Sequence, residues 1–167
     1  MSDDILERYQ LLIFDADDTL RRTTVPGKPC PHGRSEWELM PGVRETLSRI
    51  SWGSPGAPKF GLASNQDQIA YGYLSIAMAR GLLRDLALAV TSTAPPEEAL
   101  QLCPHPLSLR CRCRKPEPGM LLSIMEFYGI KPAATAFIGN HKVDQEAAER
   151  AGIDFIWSED LFSVPQT

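Results

Sequence analysis

Asp15 and Asp17 stand two apart in FDADDTL, directly after the apolar run Leu11 to Phe14. Such a run reads as a buried strand, so its C-terminal edge delivers both carboxylates to one place. Asp15 can then act as a nucleophile toward phosphorus and as a Mg²⁺ ligand. Asp17 can turn over the same site and act as general acid, then as general base. A metal ion there offsets the repulsion between an anionic nucleophile and an anionic phosphate. Aspartates are also common where a strand turns into a loop, and the pair alone fits both readings.

Further along the chain, Ser64-Asn65 follows a second apolar run, Phe60 to Ala63. Its hydroxyl and amide can bond phosphate oxygens, or cap a helix. Lys115 can neutralise a phosphoryl group and hold the nucleophile, although a lone lysine is usually solvated. Asn140 and Asp144 can complete a metal shell, Asp144 from behind through water. Asp144 equally fits a carboxylate in the first turn of a helix.

The stretch CPHPLSLRCRCRKPEPGM gathers Cys103, His105, Cys111 and Cys113. The C-x-H and C-x-C pairs supply the four soft or borderline ligands of a closed structural zinc site, and unrelated cysteines are the alternative. Zinc in a loop at about 103–113 would stiffen it and fix where Arg114 and Lys115 enter the site. Cys30-Pro31-His32 repeats the C-P-H pattern. It could donate ligands to the same ion or to another; with the Cys103 set complete, it is assigned to a substrate-facing loop. His141 reads as a solvated neighbour of Asn140.

These residues need a scaffold. Further strands are expected at Ala136 to Ile138 and Asp154 to Trp157. Helices are expected at about 41–50, 68–84, 120–128 and 143–151, with 86–90 open between helix and strand. Residues 21–40, rich in proline and glycine, read as an irregular loop. Strands alternating with helices imply an α/β fold with a parallel sheet, whose ligands bind beyond the carboxyl ends of the strands. Asp15, Ser64-Asn65 and Asn140 should therefore converge on one edge.

The chain has 167 residues, 43% of them hydrophobic, enough for a single domain over residues 1–167. Its net charge of −4 argues against a general binder of nucleic acid or anionic membrane. Local basic clusters remain at Arg21-Arg22 and at Arg110, Arg112, Arg114 and Lys115. No apolar run is long enough to span a bilayer, and MSDDILERYQ lacks the layout of a signal peptide. The expected compartment is the cytoplasm, where reduced thiols favour metal over disulfide.

The order FDADDTL, SNQ, RKPEPGM and IGN with a later aspartate resembles the haloacid dehalogenase (HAD) superfamily of phosphohydrolases. CPH, a spacer and CxCRKPxPGMLL resemble the zinc-loop segment of its capless subfamily IIIA branch, home of heptose bisphosphate and histidinol-phosphate phosphatases. The resemblance covers roughly residues 11–153. It implies a Rossmann-like core with a mainly parallel sheet flanked by helices, no cap domain, and an aspartyl-phosphate formed on Asp15. It makes Asp17 the acid/base, its main-chain carbonyl a Mg²⁺ ligand, Ser64 and Asn65 phosphate binders, and Arg114 and Lys115 the basic third motif. Asn140 falls where the family has a metal-binding aspartate, and Asp18 where many members have glycine.

The expected activity is Mg²⁺-dependent hydrolysis of a small phosphorylated metabolite, such as a sugar phosphate, by a monomer. Substrate choice falls to residues 21–40 and the zinc loop. One alternative is a phosphatase of polynucleotide ends, with Arg21-Arg22 tracking the backbone. Another is a non-catalytic phospholigand binder, which Asn140 favours.

Overall fold

A computed structural model describes residues 2–163 of the chain. Its centre is a parallel sheet of β1 (Leu11–Phe14), β4 (Lys59–Asn65), β5 (Leu100–Cys103), β6 (Thr135–Gly139) and β7 (Asp154–Trp157), in the spatial order β5-β4-β1-β6-β7. A small antiparallel ribbon pairs β2 (Arg21–Thr23) with β3 (Trp37–Leu39). The helices are α1 (Ser2–Glu7), α2 (Val43–Leu47), α3 (Ile76–Thr91), α4 (Gly119–Tyr128), α5 (Lys142–Ala151) and α6 (Ser158–Leu161).

β1 is buried along its whole length because it is covered on both faces. Leu12 and Phe14 pack with Val43 and Leu47 of α2 and Leu83 and Leu86 of α3. Leu11 and Ile13 point the other way, into Met120, Leu121 and Ile124 of α4 and Ala147 and Ala148 of α5. Each fully buried side chain of this kind contributes roughly 1.5–3 kcal/mol. β1 pairs in parallel with β4 on one side and β6 on the other. The connections therefore diverge at β1, and a crevice forms beyond its carboxyl end.

The α/β architecture and four of the five sheet strands match the expectation from sequence. Residues 21–40 do not. They form the β2–β3 ribbon, with Arg22 and Glu38 ion-paired on its exposed face and Arg21, Trp37 and Leu39 turned inward. The expected helix at 41–50 shrinks to α2, ended by Ser48. The expected helix at 68–84 starts later: Gly72 takes a φ of 79°, outside helical geometry, and the Ser75 hydroxyl caps α3 by accepting from the Met78 amide. Leu86 to Val90 belong to α3. β5 was not anticipated, because the alternation in LQLC spans only four residues, too few to stand out.

Candidate active site

Three strand ends meet at the crevice. The Asp15 amide extends the sheet ladder by donating to the Ile138 carbonyl at 2.9 Å. Its side chain is therefore fixed at the edge, 8% exposed. One oxygen, Oδ1, accepts from Lys115 Nζ at 2.7 Å. The other, Oδ2, lies 3.1 Å from the Thr19 hydroxyl. That same hydroxyl lies 3.2 Å from Asn140 Oδ1, so the oxygens of Asp15 and Asn140 converge on one point. Beside Thr19 and Asn140 opens a hollow of about 360 Å³, walled by Met40, Pro41 and Phe162.

Lys115 is 3% exposed and spends its three donors on Asp15, on Asp144 Oδ1 at 2.7 Å, and on the Ala63 carbonyl at 2.9 Å. Burial works against its charge, but the two carboxylates outweigh it and raise its pKa. Burial is also the largest influence on Asp15. It pushes that carboxyl up to about 6, against the opposing pull of Lys115. Asp144 is anchored on its own helix: its Oδ2 accepts from the amides of Asn140 and His141 at 3.2 and 3.1 Å. Gly139 makes room for it, since a Cβ there would lie 2.6 Å from the Asp144 carboxylate.

Asn65, expected to bind phosphate, turns its side chain onto the Lys115 peptide. Oδ1 accepts from Lys115 N at 3.0 Å and Nδ2 donates to Lys115 O at 3.2 Å. Ser64 is buried, its hydroxyl accepting from Gln66 Nε2 at 2.7 Å. Asp17 is gripped from two directions, by Arg21 Nε at 2.9 Å and Gln66 Nε2 at 2.8 Å. Arg21 is thus a buried partner of Asp17, and Arg22 is paired with Glu38 on the exposed face of the ribbon. His141 is the exposed N-cap of α5.

The cysteine loop approaches from the other side. The ligand atoms of Cys103, His105, Cys111 and Cys113 all lie within 4.8 Å of one another. Cys103 Sγ is 3.4 Å from His105 Nδ1, 3.6 Å from Cys111 Sγ and 3.2 Å from Cys113 Sγ. Such spacings suit the edges of a small tetrahedron with metal–ligand bonds of about 2.0–2.3 Å, so the set fits zinc. Burial pushes the Cys103 thiol up to about 12. At Cys111 burial acts the same way, but hydrogen bonds led by the Arg114 amide outweigh it and bring the thiol down to about 6. Gly119 lies against the Arg112 carbonyl, closer than any side chain would allow, and donates to it at 2.9 Å. The loop is thereby pinned to α4. Arg114 reaches the His105 carbonyl at 3.3 Å and Asp67 at 3.6 Å. Cys30 is not part of this cluster. It is buried near Asp17, Arg21 and Asp67, and burial followed by the Asp17 charge pushes its thiol up to about 12.

Thr19, Arg21 and Gln66 were missed as site residues. Each carried a positional signal: four residues after Asp15, four after Asp17, and directly after Ser64-Asn65.

The same arrangement of strands and motifs has relatives. The chain is 31% identical over 144 residues to the D-glycero-beta-D-manno-heptose-1,7-bisphosphate 7-phosphatase of Pseudomonas aeruginosa, covering 86% of this chain and 73% of that one. The chain belongs to the haloacid dehalogenase-like hydrolases. A profile of that family, described as haloacid dehalogenase-like hydrolase, matches residues 108–158. Among solved structures, the D,D-heptose 1,7-bisphosphate phosphatase of B. bronchiseptica, complexed with magnesium and phosphate, superposes with a TM-score of 0.72 at 26% identity, over 87% of this chain and 78% of that one. A HAD-like chain from Mesorhizobium loti shares the fold, with a TM-score of 0.66 at 21% identity, over 87% of this chain and 70% of that one. The chain is accordingly a hydrolase of the phosphatase type, in a family that generally uses Mg²⁺. No helix among the described residues is long and apolar enough to cross a membrane.

Proposed function

We propose that this HAD-like hydrolase is a single-domain phosphatase that removes a phosphoryl group from a small sugar phosphate, with Asp15 as nucleophile. The observation that carries the reading is the Lys115 ammonium held between the buried carboxylates of Asp15 and Asp144 at the sheet's carboxyl edge. Lys115 fixes one Asp15 oxygen and leaves the other, on the Thr19 side, to face phosphorus. The Asp15 oxygen bonds phosphorus as the ester oxygen leaves, taking a proton from Asp17. Water then attacks the aspartyl-phosphate, gives its proton to Asp17, and inorganic phosphate departs with Asp15 restored. The Ser64 hydroxyl and the Arg114 guanidinium are the groups offered to the phosphoryl oxygens. The Asn65 side chain serves by holding the Lys115 peptide.

Asp15, the Asp17 main-chain carbonyl and Asn140 are the oxygen donors that would hold Mg²⁺, a hard cation suited to such a set. When bound, it supplies positive charge against the phosphoryl oxygens. Cys103, His105, Cys111 and Cys113 would hold a structural zinc that braces the segment leading into Lys115. The sugar-phosphate assignment is supported by the names of the curated relatives, including a D-glycero-alpha-D-manno-heptose-1,7-bisphosphate 7-phosphatase of Mycobacterium bovis at 28% identity over 139 residues, covering 82% of this chain and 70% of that one.

The test is phosphate release from a panel of sugar monophosphates and bisphosphates with and without Mg²⁺. Mg²⁺-dependent release that disappears in Asp15→Asn is expected. Equal release by Asp15→Asn would overturn the assignment.

A further inference from the structure

Gln66 directly follows Ser64-Asn65 and is 2% exposed. Its main-chain amide continues the β4–β5 ladder by donating to the Cys103 carbonyl at 2.8 Å, so the sheet aims its side chain. The side-chain nitrogen Nε2 spends both hydrogens inside the site. One goes to Asp17 Oδ2 at 2.8 Å and the other to Ser64 Oγ at 2.7 Å. Chemistry forces the direction of both bonds. An ionised carboxylate only accepts, so the end of the amide that faces Asp17 is the NH₂ group. The same NH₂ group faces Ser64, so the Ser64 oxygen accepts as well.

Accepting uses a lone pair of the hydroxyl and turns its proton elsewhere. Among the described residues that proton has no acceptor, although Ser64 is 1% exposed. A buried donor left unspent is costly, and water can take it while the site is empty. The neighbouring residue shows which way this strand end opens. The Ala63 carbonyl accepts from Lys115 Nζ at 2.9 Å, and that ammonium also holds Asp15. The unspent Ser64 proton therefore belongs to the same strand end as the nucleophile's partner. It calls for an acceptor that carries no proton of its own, as a phosphoryl oxygen does.

We propose that Gln66 is a positioning residue: it fixes the Ser64 hydroxyl as a donor to the phosphoryl group and, through the same nitrogen, holds Asp17 beside that group. This rests on the phosphatase reading for the place of the phosphoryl group. A side chain of similar length without the NH₂ lets the Ser64 hydroxyl rotate and leaves the Asp17 carboxylate to Arg21 alone.

The experiment is a double-mutant cycle read by calorimetric binding of inorganic phosphate with Mg²⁺ present, which needs no turnover. Ser64→Ala is expected to weaken phosphate about tenfold and Gln66→Met about fivefold, the sizes of a lost and a misdirected hydrogen bond. In the Ser64→Ala background, Gln66→Met should change the affinity by less than about twofold, because it acts through a hydroxyl already removed. In Ser64→Thr, which keeps the hydroxyl, the effect of Gln66→Met should return. Gln66→Leu repeats the cycle, so a folding defect in one variant does not decide it. Effects that multiply independently, no effect of Gln66→Met, its absence in Ser64→Thr, or no phosphate binding by the parent protein overturns the proposal. In turnover of a sugar phosphate, Gln66→Met should also lower kcat through Asp17, and it should do so in the Ser64→Ala background too. A kcat unchanged by Gln66→Met overturns the Asp17 half. Phosphate release by the wild-type protein decides the phosphatase reading separately, so either can fail alone.

Discussion

Lys115 Nζ and Asp15 Oδ1 meet at 2.7 Å where neither residue is more than 8% exposed. Removing one member of a buried pair leaves an uncompensated charge, which costs about 3–5 kcal/mol. Lys115→Met should therefore lose stability of that order at pH 8. The substitution strands both Asp144 and Asp15, and the pH-dependent part of the loss comes from Asp15, whose carboxyl is pushed up to about 6 in the fold against 3.8 for the free group. The folded state keeps a proton there that the unfolded chain has already lost, so Asp15 lowers stability as pH rises between these values. Without Lys115 that penalty grows and extends to higher pH. Chemical denaturation at pH 5 and pH 8 should show the larger deficit at pH 8. An equal deficit would mean that ionised Asp15 adds nothing to the loss beyond what Asp144 contributes.

Asn65 grips both the amide and the carbonyl of Lys115. Asn65→Leu should leave the fold intact but let the Lys115 backbone drift. A fall in kcat of about 10- to 100-fold is expected, with KM little changed, because displacements near 1 Å are costly in catalysis. Steady-state kinetics beside a circular dichroism spectrum checks this. A rise in KM at constant kcat would instead return Asn65 to phosphate binding.

The nucleophile must be a carboxylate, so activity should fall as pH drops through about 6, the value to which burial pushes Asp15. Magnesium favours the ionised form, so raising its concentration should move that acid limb to lower pH. Asn140→Asp adds a carboxylate to the magnesium donors, so it should tighten the ion and move the limb lower where magnesium leaves the wild type unsaturated, whereas without magnesium the added negative charge should move it to higher pH. Rate profiles at two magnesium concentrations read the shift. A limb indifferent to both changes would assign it to another group.

Purified protein should carry about one zinc per chain, and Cys111→Ser should lower both zinc content and thermal stability. Gly119→Ala forces a methyl into the Arg112 carbonyl and should loosen the same loop without touching a ligand. Elemental analysis with thermal melts tests both. Zinc-free protein with a full melting temperature would remove the metal from the account.

Much of this site was legible because short apolar runs ending in Asp15, Ser64 and Asn140 define strands, and a parallel sheet aligns their carboxyl ends. The clustering of Cys103, His105, Cys111 and Cys113 was equally readable, since residues this close in one short loop come together locally. The roles of Asn65 and Arg21 were not. Asn65 meets Lys115 across 50 residues and Gln66 meets Asp17 across 49, contacts set by the packing of β4 against its neighbours. Arg21 lies only four residues from Asp17. Its burial, however, depends on the β2–β3 ribbon, whose strands of three residues are too short to show a period.

The account stands on Asp15 forming a covalent bond to phosphorus. Mixing the enzyme with a sugar phosphate and magnesium, quenching in acid within the first turnover, and mapping peptides by mass spectrometry tests it directly. The expected result is one phosphoryl group on the peptide containing Asp15, lost in Asp15→Asn and on longer incubation. A phosphoryl group on any other residue, or rapid phosphate release with no phosphorylated peptide at any quench time, would contradict it.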